Sequence, residues 1–156
     1  MATLTFFLGG RDLEMAEIAA LVRATVGAHA VVDKGLPWHG AVASAYANEI
    51  ATALACGRQP VLVELGLDLD AGVIDRCLVV DHHGSRAGAD QPTSLEQVFA
   101  LLHLPPSRWT RRHALVAAND RGWIPGLRAM GATAAEIAAI RAEDRAAQGI
   151  TAADEE

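Results

Sequence analysis

Cysteine is scarce in this 156-residue chain: Cys56 and Cys77 are the two present, with neither a CxxC pair nor finger spacing to suggest a zinc site. Cys56 falls at the end of a predicted helix and Cys77 inside a predicted strand, and both read as buried, reduced thiols. Long apolar runs are missing too. No segment approaches the roughly 20 residues needed to span a bilayer, and the first residues lack the basic, apolar, small-residue order of a secretion signal, so a cytoplasmic protein that does not enter membranes is expected. Positive charge is thin: 13 Lys and Arg stand against 19 Asp and Glu, giving a net charge of -6 and a pI near 5.4. Apart from Arg111-Arg112 the cations are scattered. A face for duplex nucleic acid needs a denser basic patch, which excludes a duplex as partner but leaves a nucleotide or a short oligonucleotide open.

What the sequence does have is enough apolar material for a core, 51% of its residues, in a length that suits one domain. Residues 1–150 are read as that domain and 151–156 as an acidic, frayed tail. Thr3 to Leu8 is β-prone, Gly9-Gly10 breaks it, and Asp12 opens an amphipathic helix with Leu13, Ile18, Leu21, Val22 and Val26 on one face. Gly27 ends that helix, and Ala28 to Val32 forms a second strand. Ala41 to Cys56 is an Ala-rich helix closed by Gly57, Pro60 to Leu65 a third strand, and Gly66 to Asp75 a short crossover in which Asp68, Asp70 and Asp75 form a solvated face. Cys77 to Val80 is the fourth strand. Thr93 with Glu96, and Thr133 with Glu136, have capping-box spacing, starting helices that run to Leu102 and Gln148, and Ser107 to Ala118 reads as another helix. Strands and helices alternate first and helices alone follow, which predicts an α/β fold: a mostly parallel sheet of about four to five strands with helices on both faces and a helical C-terminal half. The Ala-rich faces of 41–56 and 134–147 could serve a homodimer or pack within the chain.

Polar residues stand just past apolar segments in four places: Asp12 with Glu14, Glu64, Asp81-His82-His83, and Asn119-Asp120. In a parallel sheet the first three lie side by side at the carboxyl edge, where ligands bind open α/β sheets. Carboxylates and imidazoles converging from separate segments suit a divalent metal. Each also has a plain structural use. Asp12 can cap its helix, with Glu14 favourable in the first turn; Asn119-Asp120-Arg121-Gly122 has turn composition; His29, His103 and His113 read as structural or surface groups, and Trp109 and Trp123 as packing residues.

The order of these motifs resembles the DHH phosphoesterase superfamily. Gly10-Arg11-Asp12-Leu13-Glu14 is similar to its first motif, Val63-Glu64 to its second, Val80-Asp81-His82-His83 to the third, and Ala118-Asn119-Asp120 to the fourth, over roughly residues 3 to 125. The resemblance implies that Asp12, Glu14, Glu64, His82 and Asp120 are ligands of one or two divalent ions, most simply manganese. It further implies that Asp81 orients its neighbours and that His83 faces the substrate phosphate, these two being the catalytic residues. Arg86, Lys34 and Arg121 are candidate phosphate contacts by charge. The implied activity is hydrolysis of a phosphate ester or anhydride in a small phosphorylated molecule or short nucleotide; the alternative is a catalytically silent domain of this type that binds a ligand or a protein. The chain departs from the family in three ways. Leu8 stands where a histidine is usual, with His39 as a possible substitute imidazole; Glu replaces Asp at 14 and 64, moving each carboxylate by roughly 1.5 Å, one carbon-carbon bond; and the second, substrate-binding domain has no counterpart.

Overall fold

A computed structural model describes residues 2–88 and 90–155; Glu156, the end of the acidic tail, lies outside them, as do Met1 and Ala89. Four strands, β1 (Leu4–Leu8), β2 (Val31–Val32), β3 (Gln59–Val63) and β4 (Leu78–Val80), form one all-parallel sheet in the order β2-β1-β3-β4. The apolar runs are nearly continuous because both sheet faces are covered. Phe6, Leu8, Val61 and Val63 point into one core, and Phe7 and Leu62, alternating with them, into the other.

The first core is closed by α1 (Leu13–Thr25), α4 (Ser94–Leu101), α5 (Arg111–Ala129) and α6 (Ala134–Ala147). The second is covered by the turn Ala43–Tyr46 and by α2 (Ala47–Ala55), which buries Ile50 and Ala53. The crossover to β4 holds one short helix, α3 (Ala71–Ile74). Capping boxes start α4 at Thr93 and α6 at Thr133, as their spacing predicts. Another, Thr110 with His113, starts α5 and could not be foreseen from a Ser/Thr-to-acid pattern, since here an imidazole accepts from the Thr110 amide.

Several boundaries differ from expectation for local reasons. Gly27, at φ 128, turns the chain into a single 3₁₀ turn over Ala28–Ala30, so β2 shrinks to Val31–Val32. Ala41 to Tyr46 is not helical throughout: Ala43 and Gly66 are tied by backbone hydrogen bonding that holds this segment against the crossover. The helix expected over Ser107–Ala118 instead begins at Arg111 and continues past Asp120 before Gly122 and Trp123 break it. Asp68 is not merely solvated; it accepts from the Ser44 amide and hydroxyl. Cys56 is exposed and Cys77 half-buried just ahead of β4, so neither is the buried thiol expected. Arg111 pairs with Glu136, and Arg112 with Glu17 and Glu143. The basic pair therefore links α5 to α6 and α1. Among the described residues no helix is long and apolar enough to cross a membrane.

Register decides where the polar residues go. Leu8 pairs with Val63 and Val63 with Val80, so Gly9, Glu64 and Asp81 all leave the sheet at one level. Because β2 lies to one side of β1 and β3 to the other, that level between β1 and β3 is also the topological switch point, where the connections diverge and open a crevice. Tyr46 fixes this edge from the α2 side. Fully buried, it donates to the Leu8 carbonyl at 2.6 Å and accepts from the Lys34 amide at 3.1 Å. Tyr46→Phe should cost about 1–2 kcal/mol, read as a lower urea midpoint at unchanged slope; an unaltered midpoint would show that the hydroxyl does not anchor the edge.

Candidate metal centre

The close approach of two loops comes first. A Cβ on Gly9 would lie 2.3 Å from the Glu64 carbonyl oxygen, and one on Gly10 2.9 Å from the Trp38 ring. These glycines let the turn after β1 sit directly on the end of β3. Glu64 itself takes φ 51, a conformation that a non-glycine residue adopts rarely and at a cost. The turn aims its side chain inward, where Glu64 is 5% exposed and one carboxylate oxygen accepts from the Ser94 hydroxyl at 2.7 Å.

Asp12 caps α1, accepting from the Met15 amide at 2.8 Å. One oxygen suffices for this, so the capping role and a place in the cleft coexist. Glu14, in the first turn of α1, is 2% exposed and lies 3.4 Å from the Leu95 amide at the start of α4, with the Glu64 carboxyl beside it. Asp120 lies in α5 rather than in a turn; the helix reaches Arg121 before Gly122 interrupts it. Behind these acids stands Asp144 of α6. It accepts from the Leu13 amide at 3.1 Å and the Asn119 side chain at 3.1 Å, and so holds the neighbours of both Asp12 and Asp120.

The histidines complete the ring. His82 is buried, with Nε2 3.2 Å from the Gly88 carbonyl and Nδ1 3.4 Å from Asp120. A carbonyl only accepts, so Nε2 donates to Gly88, and Nδ1 is the ring atom that faces the Asp120 carboxylate. His83 is more exposed; its Nδ1 lies 3.2 Å from Asp81 and 3.6 Å from Glu64, and its ring meets Trp38 edge-on at 5.4 Å. Asp81 also accepts from the His83 amide, which orients the imidazole.

Glu64, His83 and Asp120 each offer a ligand atom within 4.8 Å of the other two, a group that could hold a metal ion. Fit to a cation is tested by what the buried oxygens lack. One oxygen each of Glu14, Glu64 and Asp120 is buried without a hydrogen-bond partner. Burial is the main force raising all four acids above the usual carboxylate range. Asp12 is pushed up to about 7, its Met15 hydrogen bond being outweighed with help from Glu64, Asp120 and Asp144. Glu14 is raised further by Asp120 and Glu64, and Glu64 by Asp120 against the Ser94 hydrogen bond; Asp120 is raised despite His83 and His82. His83, hydrogen-bonded to Asp81 and facing Glu64 and Asp120, is raised against burial to about 9. Burial opposes ionisation of Asp81 as well, but the His83 hydrogen bonds outweigh it and keep this acid charged. Such a set could hold a cation: carboxylate and imidazole donors suit hard or borderline ions, and a cation would relieve the like-charge conflict.

The cleft has a volume of about 270 Å³ and is lined by Asp12, Glu14, Asp120 and His83, with Trp38 and Trp123 at its sides. Trp123 is no packing residue; it is 67% exposed with φ 48, in the break within α5. Trp109, by contrast, packs edge-on against Phe99. The three expected phosphate cations do not line the cleft. Lys34 pairs with Glu49 at 2.8 Å, Arg86 donates to the Val79 carbonyl, and Arg121 pairs with Glu96. His39 is exposed outside the cleft, and the position of Leu8 is fully buried core, so neither brings an imidazole. Ser94, Trp38 and Asp144 went unnoticed in the sequence. Only Asp144 carries a signal there: it continues the Ile137, Ile140 stripe of α6, where a charge on the buried face needs a reason.

Two outcomes follow from this geometry. Asp12 binds its proton more tightly folded, at about 7, than at its ordinary 3.8, so in the metal-free protein its contribution to stability is full below 3.8 and is lost as pH rises through 7. The loss is on the order of a few kcal/mol; His83, raised to about 9, acts in the same direction. Urea midpoints in chelator at pH 5 and pH 8 measure it, and equal midpoints would contradict the burial of charge described above. Gly9→Ala should destabilise by about 2 kcal/mol or more, because the added methyl must displace the Glu64 backbone; a thermal midpoint within one degree or so of the parent would contradict it. No family model, curated protein or solved structure matches the chain, which leaves this geometry as the ground for assigning a function.

Proposed function

We propose that this chain is a DHH-like phosphoesterase, hydrolysing a phosphate ester or anhydride of a small molecule or short nucleotide with one or two divalent ions of the manganese class. The observation that carries it is the convergence of partnerless, buried carboxylate oxygens from α1, the end of β3 and α5 beside the imidazoles of His82 and His83. Buried carboxylate oxygens without hydrogen-bond partners, gathered from separate segments, are donors that a cation could satisfy.

Asp12, Glu14, Glu64, His82 and Asp120 would hold the ions. A bound ion supplies Lewis acidity at phosphorus-bound oxygen and lowers the pKa of a water for in-line attack. The chain's own groups do the rest. The His82 proton is kept on Nε2 by Gly88, which turns Nδ1 toward the acids. His83, held cationic by Asp81, is placed to hold a phosphate oxygen or to protonate the leaving oxygen at the mouth of the cleft. Trp38 limits the swing of that ring and shields it from water on one side.

Manganese should bind the purified protein at near-stoichiometric levels, and His82→Ala and Asp120→Ala should each abolish hydrolysis across a panel of phosphomonoesters, dinucleotides and pyrophosphate. Asp120→Asn separates function from folding. It removes one of the crowded charges and should make the metal-free protein more stable at pH 8, by about 1 kcal/mol or more, while abolishing metal binding. Undiminished hydrolysis in both alanine variants, or a protein that ignores added manganese, would overturn the assignment.

A further inference from the structure

Two of the three tryptophans, Trp38 and Trp123, stand at the acid cleft, and neither belongs to a hydrophobic core. Trp38 is 42% exposed and Trp123 67%, where a side chain of that size ordinarily buries most of its area. The backbone at Trp123 adds a cost. Pro125 has no N–H for the Arg121 carbonyl and its ring crowds that carbonyl, so α5 breaks just beyond Asp120. The break falls on Gly122 and Trp123, and Trp123 takes φ 48 and ψ -135. Glycine enters this region freely, whereas a residue with a side chain is strained there. A break of this shape is least costly with glycine at 123, and a solvated indole does nothing to offset the strain. What the strained residue gains is a place: its indole lines the cleft that Asp120 also lines.

Trp38 approaches from the loop after β2. Its ring is seated against Gly10, where a Cβ would lie 2.9 Å from it, and meets His83 edge-on with ring centroids 5.4 Å apart. One indole thus adjoins the imidazole proposed to hold the phosphate. Acids and His83 make the interior of the cleft polar, and its volume of about 270 Å³ falls just under that of sites enclosing a whole drug-sized ligand. A phosphoryl group fits inside. The group attached to it then lies at the mouth, against the indoles, whose faces favour flat aromatic rings by stacking.

We infer that Trp38 and Trp123 are specificity-determining residues that hold a flat aromatic ring carried by the substrate phosphate, so that aryl or nucleobase-bearing phosphates are taken in preference to aliphatic phosphates and pyrophosphate. The phosphate end of this assignment rests on the phosphoesterase reading above, and the ring end rests on the two indoles. Phenyl and nucleobase rings share the stacking chemistry, and hydrolysis tells them apart.

Binding is read first. The full chain, labelled with nitrogen-15 and supplied with magnesium, is titrated with phenylphosphonate, cyclohexylphosphonate and propylphosphonate, whose carbon-phosphorus bonds resist hydrolysis, while the indole N–H signals are followed; Trp38→Phe and Trp123→Phe assign them. Phenylphosphonate should move the signals of Trp38 and Trp123 saturably and leave that of Trp109, packed on Phe99, in place. The saturated ring and the short chain should bind roughly tenfold more weakly. Trp123→Gly should raise the thermal midpoint of the free protein by relieving the backbone, yet weaken phenylphosphonate by about tenfold, a combination that a merely structural tryptophan would not give. Hydrolysis in manganese is read second. The kcat/KM for phenyl phosphate or thymidine monophosphate should exceed that for glycerol phosphate and pyrophosphate, the larger of the two naming the ring, and Trp123→Gly should shrink this preference about tenfold, through KM. Unmoved indole signals, equal binding of the phosphonates, or an unaltered preference in Trp123→Gly would each overturn the inference. Hydrolysis without a ring preference would leave the phosphoesterase reading standing and remove the ring site; saturable indole shifts in a protein that hydrolyses nothing would do the reverse.

Discussion

Crowding of carboxylates away from water is the constraint on which the candidate site depends. Asp12, Glu14, Glu64 and Asp120 are all buried or nearly so; burial raises the cost of ionising each, and Asp120 raises it further for the other three. A fold pays such a penalty only where surrounding structure forces the groups together. Here the forcing elements are ordinary ones: a helix cap, a pair of glycines with no room for a methyl, one left-handed residue at a strand end, and the first turn of α4. The crowding that would let the site hold a cation is also what makes it costly as a free-standing piece of protein.

The sheet edge accounts for the positions and the helices account for the orientations. Parallel pairing brings Gly9, Glu64 and Asp81 to one level, but a level is not yet a site. Ser94 turns Glu64, Asp144 braces the segments that hold Asp12 and Asp120, and Gln97 donates to the Asp81 carbonyl. All three come from the helical half of the chain. That half thus works as a frame for acids supplied mainly by the α/β half.

Legibility in the sequence divides along the same line. The strands, their parallel order and the acids at their ends were readable because burial on both sheet faces writes unbroken apolar runs, and a polar residue after such a run stands out. Two of three capping boxes were readable from Thr and Glu three apart. The α5 boundary was not, because Asn119, Asp120 and Gly122 have turn composition while tertiary contacts keep the first two helical; Gly126 packs so tightly on the Ala118 carbonyl that a Cβ would come within 2.5 Å of it. Charge alone did not reveal the partners of Lys34 and Arg121, since nothing local shows that Glu49 and Glu96 will reach them. Trp123 was read as core from its chemistry, whereas its exposure follows from a break in α5 that only the fold reveals.

The hydrogen bond from the Leu13 amide to Asp144 joins residues 131 positions apart. During synthesis the amino-terminal acids leave the ribosome long before the helix that braces them. Until α6 has emerged, the Asp144 brace on the segments that hold Asp12 and Asp120 is missing, so the arrangement of these acids is completed only when α6 docks on α1.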